Sequence, residues 1–231
     1  MRFTEAQLQR IRPLWDAMLA HPFLIRTRDG EIPDGTFANW MQQDYLFVEA
    51  AIPFMAALLP KAPHAHWEPL AGVIQALQKE LRLFEERAAA VGVDLRAAPA
   101  SFTCHAYIQF LMATAYQRPY AEAYTVLYAA EKAYHDSWKV VQEGLDPASP
   151  WHPFVENWAG DDFAAYVAYL EGELDRLAEQ VGEAERERMA ELFETTTKYE
   201  IAFWEMAVKG GGWPGTEGGS GEGVADAEEE E

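Results

Sequence analysis

A single cysteine, Cys104, occurs in 231 residues, so no disulfide can form within the chain, which is consistent with a reducing compartment. Basic residues are scarce: 18 Lys and Arg stand against 38 Asp and Glu, a formal net charge of −20. Nucleic acid and anionic membrane both call for a positive footprint, so neither is expected as a partner. No apolar run reaches the length of a membrane span. The opening segment MRFTEAQLQRIRPLW reads as amphipathic helix and lacks the apolar stretch of a signal peptide. Together these absences predict a soluble, cytoplasmic protein. Strand alternation bounded by hairpin turns and internal repeats are missing too, which leaves an all-α fold.

Several kinds of chemistry are also thinly represented. Histidine occurs six times, never after His152, and His21, His64 and His152 adjoin proline. Glu131 and His135 are spaced i, i+4 on one helix, as metal ligands can be. A dinuclear carboxylate bundle, however, needs further carboxylates and histidine from other helices, so no metal and no cofactor are expected. No GxSxG, Gly-rich phosphate loop or Cys-His motif of known spacing is present.

Aromatic residues, by contrast, are abundant: eight Trp, ten Tyr and twelve Phe. Some must fill a core, and such a surplus also suits a pocket for a flat heteroaromatic ligand. With 49% apolar residues the chain can bury one substantial core. Apolar spacing of three to four residues predicts successive helices. The first is expected from Thr4 to about Ala20 and the second from Asp34 or Thr36 to about Pro60. The third runs from Trp67 to about Ala90, stopping at Gly92. Ser101 caps the fourth, Pro119 opens the fifth, and a short one covers Pro153 to Trp158. Asp161 then caps the sixth long helix, and the last runs from Glu183 to Lys209. Residues 1–209 make one helical domain. Residues 210–231 are Gly-rich and acidic, ending in Glu228 to Glu231, and are expected to form a disordered tail.

Two acids break otherwise aromatic helices. Asp44 lies between Gln43 and Tyr45 in the most apolar segment, and Glu200 interrupts KYEIAFWEMA. Charged side chains are rarely buried without a partner. These two therefore either face solvent or converge on one pocket. Cys104 reads either as a small core residue or as a nucleophile.

The segment LAHPFLIRTRDGEIPDGTFANWMQQDYLF resembles the N-terminal signature of the TenA (thiaminase II-like) family, and KYEIAFWEMA resembles its C-terminal one. Tyr107, Tyr134 and FVENWAGDDF fall between them in family-like order, so the likeness spans roughly residues 4 to 209. The resemblance implies a heme oxygenase-like multi-helical bundle assembled as a homo-oligomer, with a pocket in each subunit. It further implies that Asp44 binds an aminopyrimidine and that Phe47, Tyr107, Tyr134, Trp158 and Phe203 line the pocket. Glu200 would be the catalytic acid. The family's PC-x-x-x-Y is AAEKAY here, which puts Ala130 where the cysteine nucleophile usually stands. That pattern is similar to the cysteine-lacking, plant-type branch, associated with salvage of amino- and formylaminopyrimidines from degraded thiamin.

Without that cysteine, water must attack directly, with Glu131 as its base, or Cys104 must substitute. Three functions follow: a thiamin-salvage hydrolase, a non-catalytic pyrimidine-binding or regulatory protein, and a metal-dependent oxygenase on the same fold.

Overall fold

Helix follows from the apolar spacing along almost the whole chain, and in the computed structural model, which describes residues 1–215, no strand occurs among the described residues. The helices are α1 (Phe3–Arg10), α2 (Arg12–Leu19), α3 (Pro22–Arg28), α4 (Asp34–Leu58), α5 (Trp67–Val91), α6 (Phe102–Gln117), α7 (Tyr120–Gln142), α8 (His152–Ala159), α9 (Asp161–Gln180) and α10 (Glu183–Lys209).

The expected first helix is two. Pro13 has no N–H to continue the ladder, so the chain breaks at Ile11 and restarts with proline in the first turn. Its N-cap is Arg2 rather than Thr4. Helix α3, absent from the sequence expectation, starts at Pro22, and the His21 ring Nδ1 accepts from the Phe23 amide at 3.2 Å. Other boundaries fall close to expectation. Ser101 Oγ accepts from the Cys104 amide at 3.1 Å, and Gly92, at φ 74° in the left-handed region, ends α5.

Helix α7 is the hub and packs against α3, α6, α8, α9 and α10. It is buried nearly all round in its first half, where Ala121, Ala123 and Ala129 let neighbours approach. Helix α4 packs on α5, α6 and α10. Between α4 and α7 lies an aromatic core that includes Trp40, Trp138, Phe154 and Trp158, with ring centroids 5.0–6.4 Å apart.

Helix α10 ends at Lys209, where the sequence placed the end of the last helix. Of the expected tail, residues 216–231 lie outside the described residues. The part that is described docks. Trp213 packs edge-on against Phe102, and its indole N–H donates to the Ala100 carbonyl at 3.4 Å.

Candidate active site

A cavity of about 510 Å³ opens between α4, α5, α7 and α9, and Trp158 of α8 and Glu200 of α10 also line it. The apolar stripes that build the helices explain how acids reach it. On α4, Phe37, Trp40, Met41, Asp44 and Val48 share the inward face. On α10, Phe193, Thr196, Glu200, Phe203 and Ala207 do so. Asp44 and Glu200 are both fully buried, and both border this one cavity.

Each of these carboxyls is held by one tyrosine. The Tyr134 hydroxyl donates to Asp44 Oδ1 at 2.5 Å, and the Tyr107 hydroxyl to Glu200 Oε1 at 2.5 Å. The second oxygens, Asp44 Oδ2 and Glu200 Oε2, are buried with no protein partner. Burial pushes both carboxyls well above the usual range. The tyrosine donors pull the other way, while Glu80 adds to the rise at Asp44, and Asp44 and Glu131 add to it at Glu200.

A second acidic pair lines the same cavity. Glu131 on α7 accepts from the Tyr166 hydroxyl at 3.2 Å, and Glu80 on α5 accepts from the Asn157 amide at 3.2 Å. Desolvation raises Glu80 to about 7, and desolvation with Glu80 as neighbour raises Glu131 to about 8. Glu80, Asn157 and Tyr166 were not singled out from sequence. A signal existed for Glu80: it continues the apolar stripe Leu70, Val73, Leu77, Phe84 at three- and four-residue spacing, which is a costly place for a solvated charge.

The remaining expected residues divide by position. Phe47, Tyr134 and Trp158 border the cavity, as does Ala130. Tyr107 and Phe203 stand one layer behind, Tyr107 carrying Glu200 and both rings packing on Phe47 at 4.6 and 5.7 Å. Cys104 is fully buried off the wall, and its thiol donates to the Gln43 carbonyl at 3.4 Å. Burial, with Asp44 nearby, pushes that thiol up to about 12. That environment holds the thiol protonated, against the expectation that it could substitute as the nucleophile. His135 contacts Asp136 and is not on the wall. Among the described residues no group of three or more His, Cys, Asp or Glu is placed to hold a metal ion. No described helix is long and apolar enough to cross a membrane.

The bundle is of the heme oxygenase-like class. A domain from Shewanella denitrificans with that fold aligns at TM-score 0.72 and 14% identity, over 90% of this chain and 92% of that one. Residues 8–210 match the TENA/THI-4/PQQC family, and the chain belongs to it. A TenA homologue from Pyrococcus furiosus is 36% identical at TM-score 0.86, covering 89% of this chain and 99% of its own. The "Probable bifunctional TENA-E protein" of Glycine max is 27% identical over 88% of this chain and 92% of its own length. An aminopyrimidine aminohydrolase of Halalkalibacterium halodurans is 26% identical over 92% and 98%.

Proposed function

We propose that this protein is a thiamin-salvage hydrolase that takes aminomethyl- or formylaminomethyl-pyrimidine toward hydroxymethylpyrimidine. The observation that carries the reading is the pair of buried carboxyls, Asp44 and Glu200, each with one oxygen held by a tyrosine and one unpartnered, on a single aromatic-walled cavity. The similarity to the aminopyrimidine aminohydrolase supports the substrate class.

Asp44 Oδ2 accepts from the exocyclic amine of the ring, and Tyr134 and Trp158 offer it aromatic contact. Electron release from that amine assists departure of the group on the methylene carbon. Glu200, its carboxyl pushed upward by burial, donates its proton to the leaving nitrogen as the C–N bond breaks. A water oxygen forms the new C–O bond, and its proton passes to the ionised member of the Glu80–Glu131 pair. Glu131 adjoins Ala130, where the family resemblance puts a cysteine, so the acidic pair stands beside the vacated position. Cys104 takes no part.

Ala130 also favours a second reading, a protein that binds the pyrimidine without turnover. Incubation of the aminomethyl compound in ¹⁸O-labelled water separates the two. Direct attack predicts released ammonia, label in the hydroxymethyl product, and the same result for Cys104→Ala. Tight binding with no ammonia supports the binding protein. Loss of turnover in Cys104→Ala with binding intact overturns water attack.

A further inference from the structure

The cavity is longer than the ligand assigned to it. Along α7 its wall runs from Tyr124 to Tyr134, ten residues apart and so about 15 Å at the helical rise. A pyrimidine with a one-carbon arm, held at Asp44 and Tyr134, covers roughly half of that at ordinary bond lengths. The volume agrees, because about 510 Å³ is the size of pocket that takes drug-sized ligands.

The far end has its own chemistry. Tyr124 is 1% exposed, and its hydroxyl is buried with no hydrogen-bond partner, an arrangement that costs stability and that an acceptor on a ligand relieves. The His66 ring lies 5.5 Å from Tyr124 between centroids. Both its nitrogens are occupied, Nδ1 by the Tyr120 hydroxyl at 2.8 Å and Nε2 by Glu173 at 3.1 Å. The imidazole therefore presents carbon rather than a free nitrogen to the cavity. Leu70, Leu127 and Leu170 complete an apolar wall. Such an end accepts a neutral, largely apolar group with one acceptor atom, and it repels a charged one.

We infer that this end is a second subsite, taking a neutral, ring-sized acyl group carried on the arm nitrogen of the aminopyrimidine, with the acyl carbonyl accepting from the Tyr124 hydroxyl. Glu131, between the two ends of α7, is placed to accept from the amide N–H. The inference rests on the hydrolase reading for the position of the pyrimidine, and it extends the substrate class to N-acyl derivatives bulkier than formyl.

Calorimetric titration of the Glu200→Gln protein, in which turnover is slowed, compares the aminomethyl parent with its N-benzoyl derivative. The subsite predicts that the benzoyl ligand binds at least about tenfold tighter, the worth of one net hydrogen bond. Tyr124→Phe should remove about that factor and leave the parent unchanged. Leu70→Trp, which fills the far end, should abolish the gain and likewise spare the parent. Parent binding with no gain from the benzoyl group overturns the subsite alone, as does an equal effect of Tyr124→Phe on both ligands. If neither ligand binds, the pyrimidine site itself is wrong and the inference falls with it.

Discussion

Asp44 and Glu200 are chemically similar and similarly buried, yet the proposed reaction asks different work of each. In the proposed mechanism Asp44 meets the ring amine in ground state and transition state alike, so Asp44→Asn should raise KM about tenfold or more and lower kcat less, as steady-state kinetics would show. The Glu80–Glu131 pair leaves a mark on stability as well. Its folded values of about 7 and about 8 lie above the ordinary 4.5, so the folded protein keeps protons that the unfolded chain releases. That contribution is complete below about pH 4.5 and is lost as pH rises through about 7 and then about 8. Thermal unfolding midpoints should therefore fall between pH 6 and pH 9. Glu131→Gln, which cannot ionise, should flatten the decline. A midpoint that rises over this window in the unaltered protein would contradict the burial assigned to the pair.

At the scale of elements, α6 shows how a local cap supports the site. Ser101 caps the helix, its amide donates to Gln43 Oε1 at 2.8 Å, and Gln43 is the residue before Asp44. The cap thus ties α6, which carries Tyr107, to α4. Ser101→Ala should cost about 1 kcal/mol, a fall of roughly 3 °C in Tm for a chain of this length, measurable by calorimetry. The same elements show what a sequence can disclose. Ser101 and Gly92 were legible because a cap hydroxyl and a left-handed stop are local requirements. The break at Ile11 was harder to see, because the apolar spacing runs on across it and only the missing N–H of Pro13 decides against continuation. Helix α3 was hidden by its length, seven residues between two turn signals, too short for periodicity to register.

For the molecule as a whole, the all-helical bundle and the meeting of Asp44 with Glu200 were both within reach of the sequence. Each is an acid on an apolar stripe, a pattern that left solvent and a shared pocket both open, and the packing of the stripes decides for the pocket. Glu80 obeys the same rule but sits among Lys79, Glu85 and Glu86, so its helix looked like a solvated amphipathic surface. Which tyrosine holds which carboxyl depends on how four helices pack, and no local pattern encodes that. Nor does the spacing of Cys104 and Tyr107 on one helix show that the thiol points to Gln43 and away from the cavity. The chain's negative charge bears on the ligand: with five acids lining the cavity, Asp44, Glu80, Glu131, Asp162 and Glu200, a phosphorylated pyrimidine should bind far more weakly than its neutral or cationic counterpart.

The role of Glu200 as proton donor is tested by two readings on Glu200→Gln: single-turnover release of ammonia from the aminomethyl pyrimidine, and the Kd for the same compound. The amide retains the shape of the carboxyl and accepts from Tyr107, but it has no proton to give the departing nitrogen. The rate should drop about a hundred- to ten-thousand-fold while Kd changes only slightly. A Glu200→Gln protein that releases ammonia at the rate of the unaltered one would contradict the account, because the proton would then have another source.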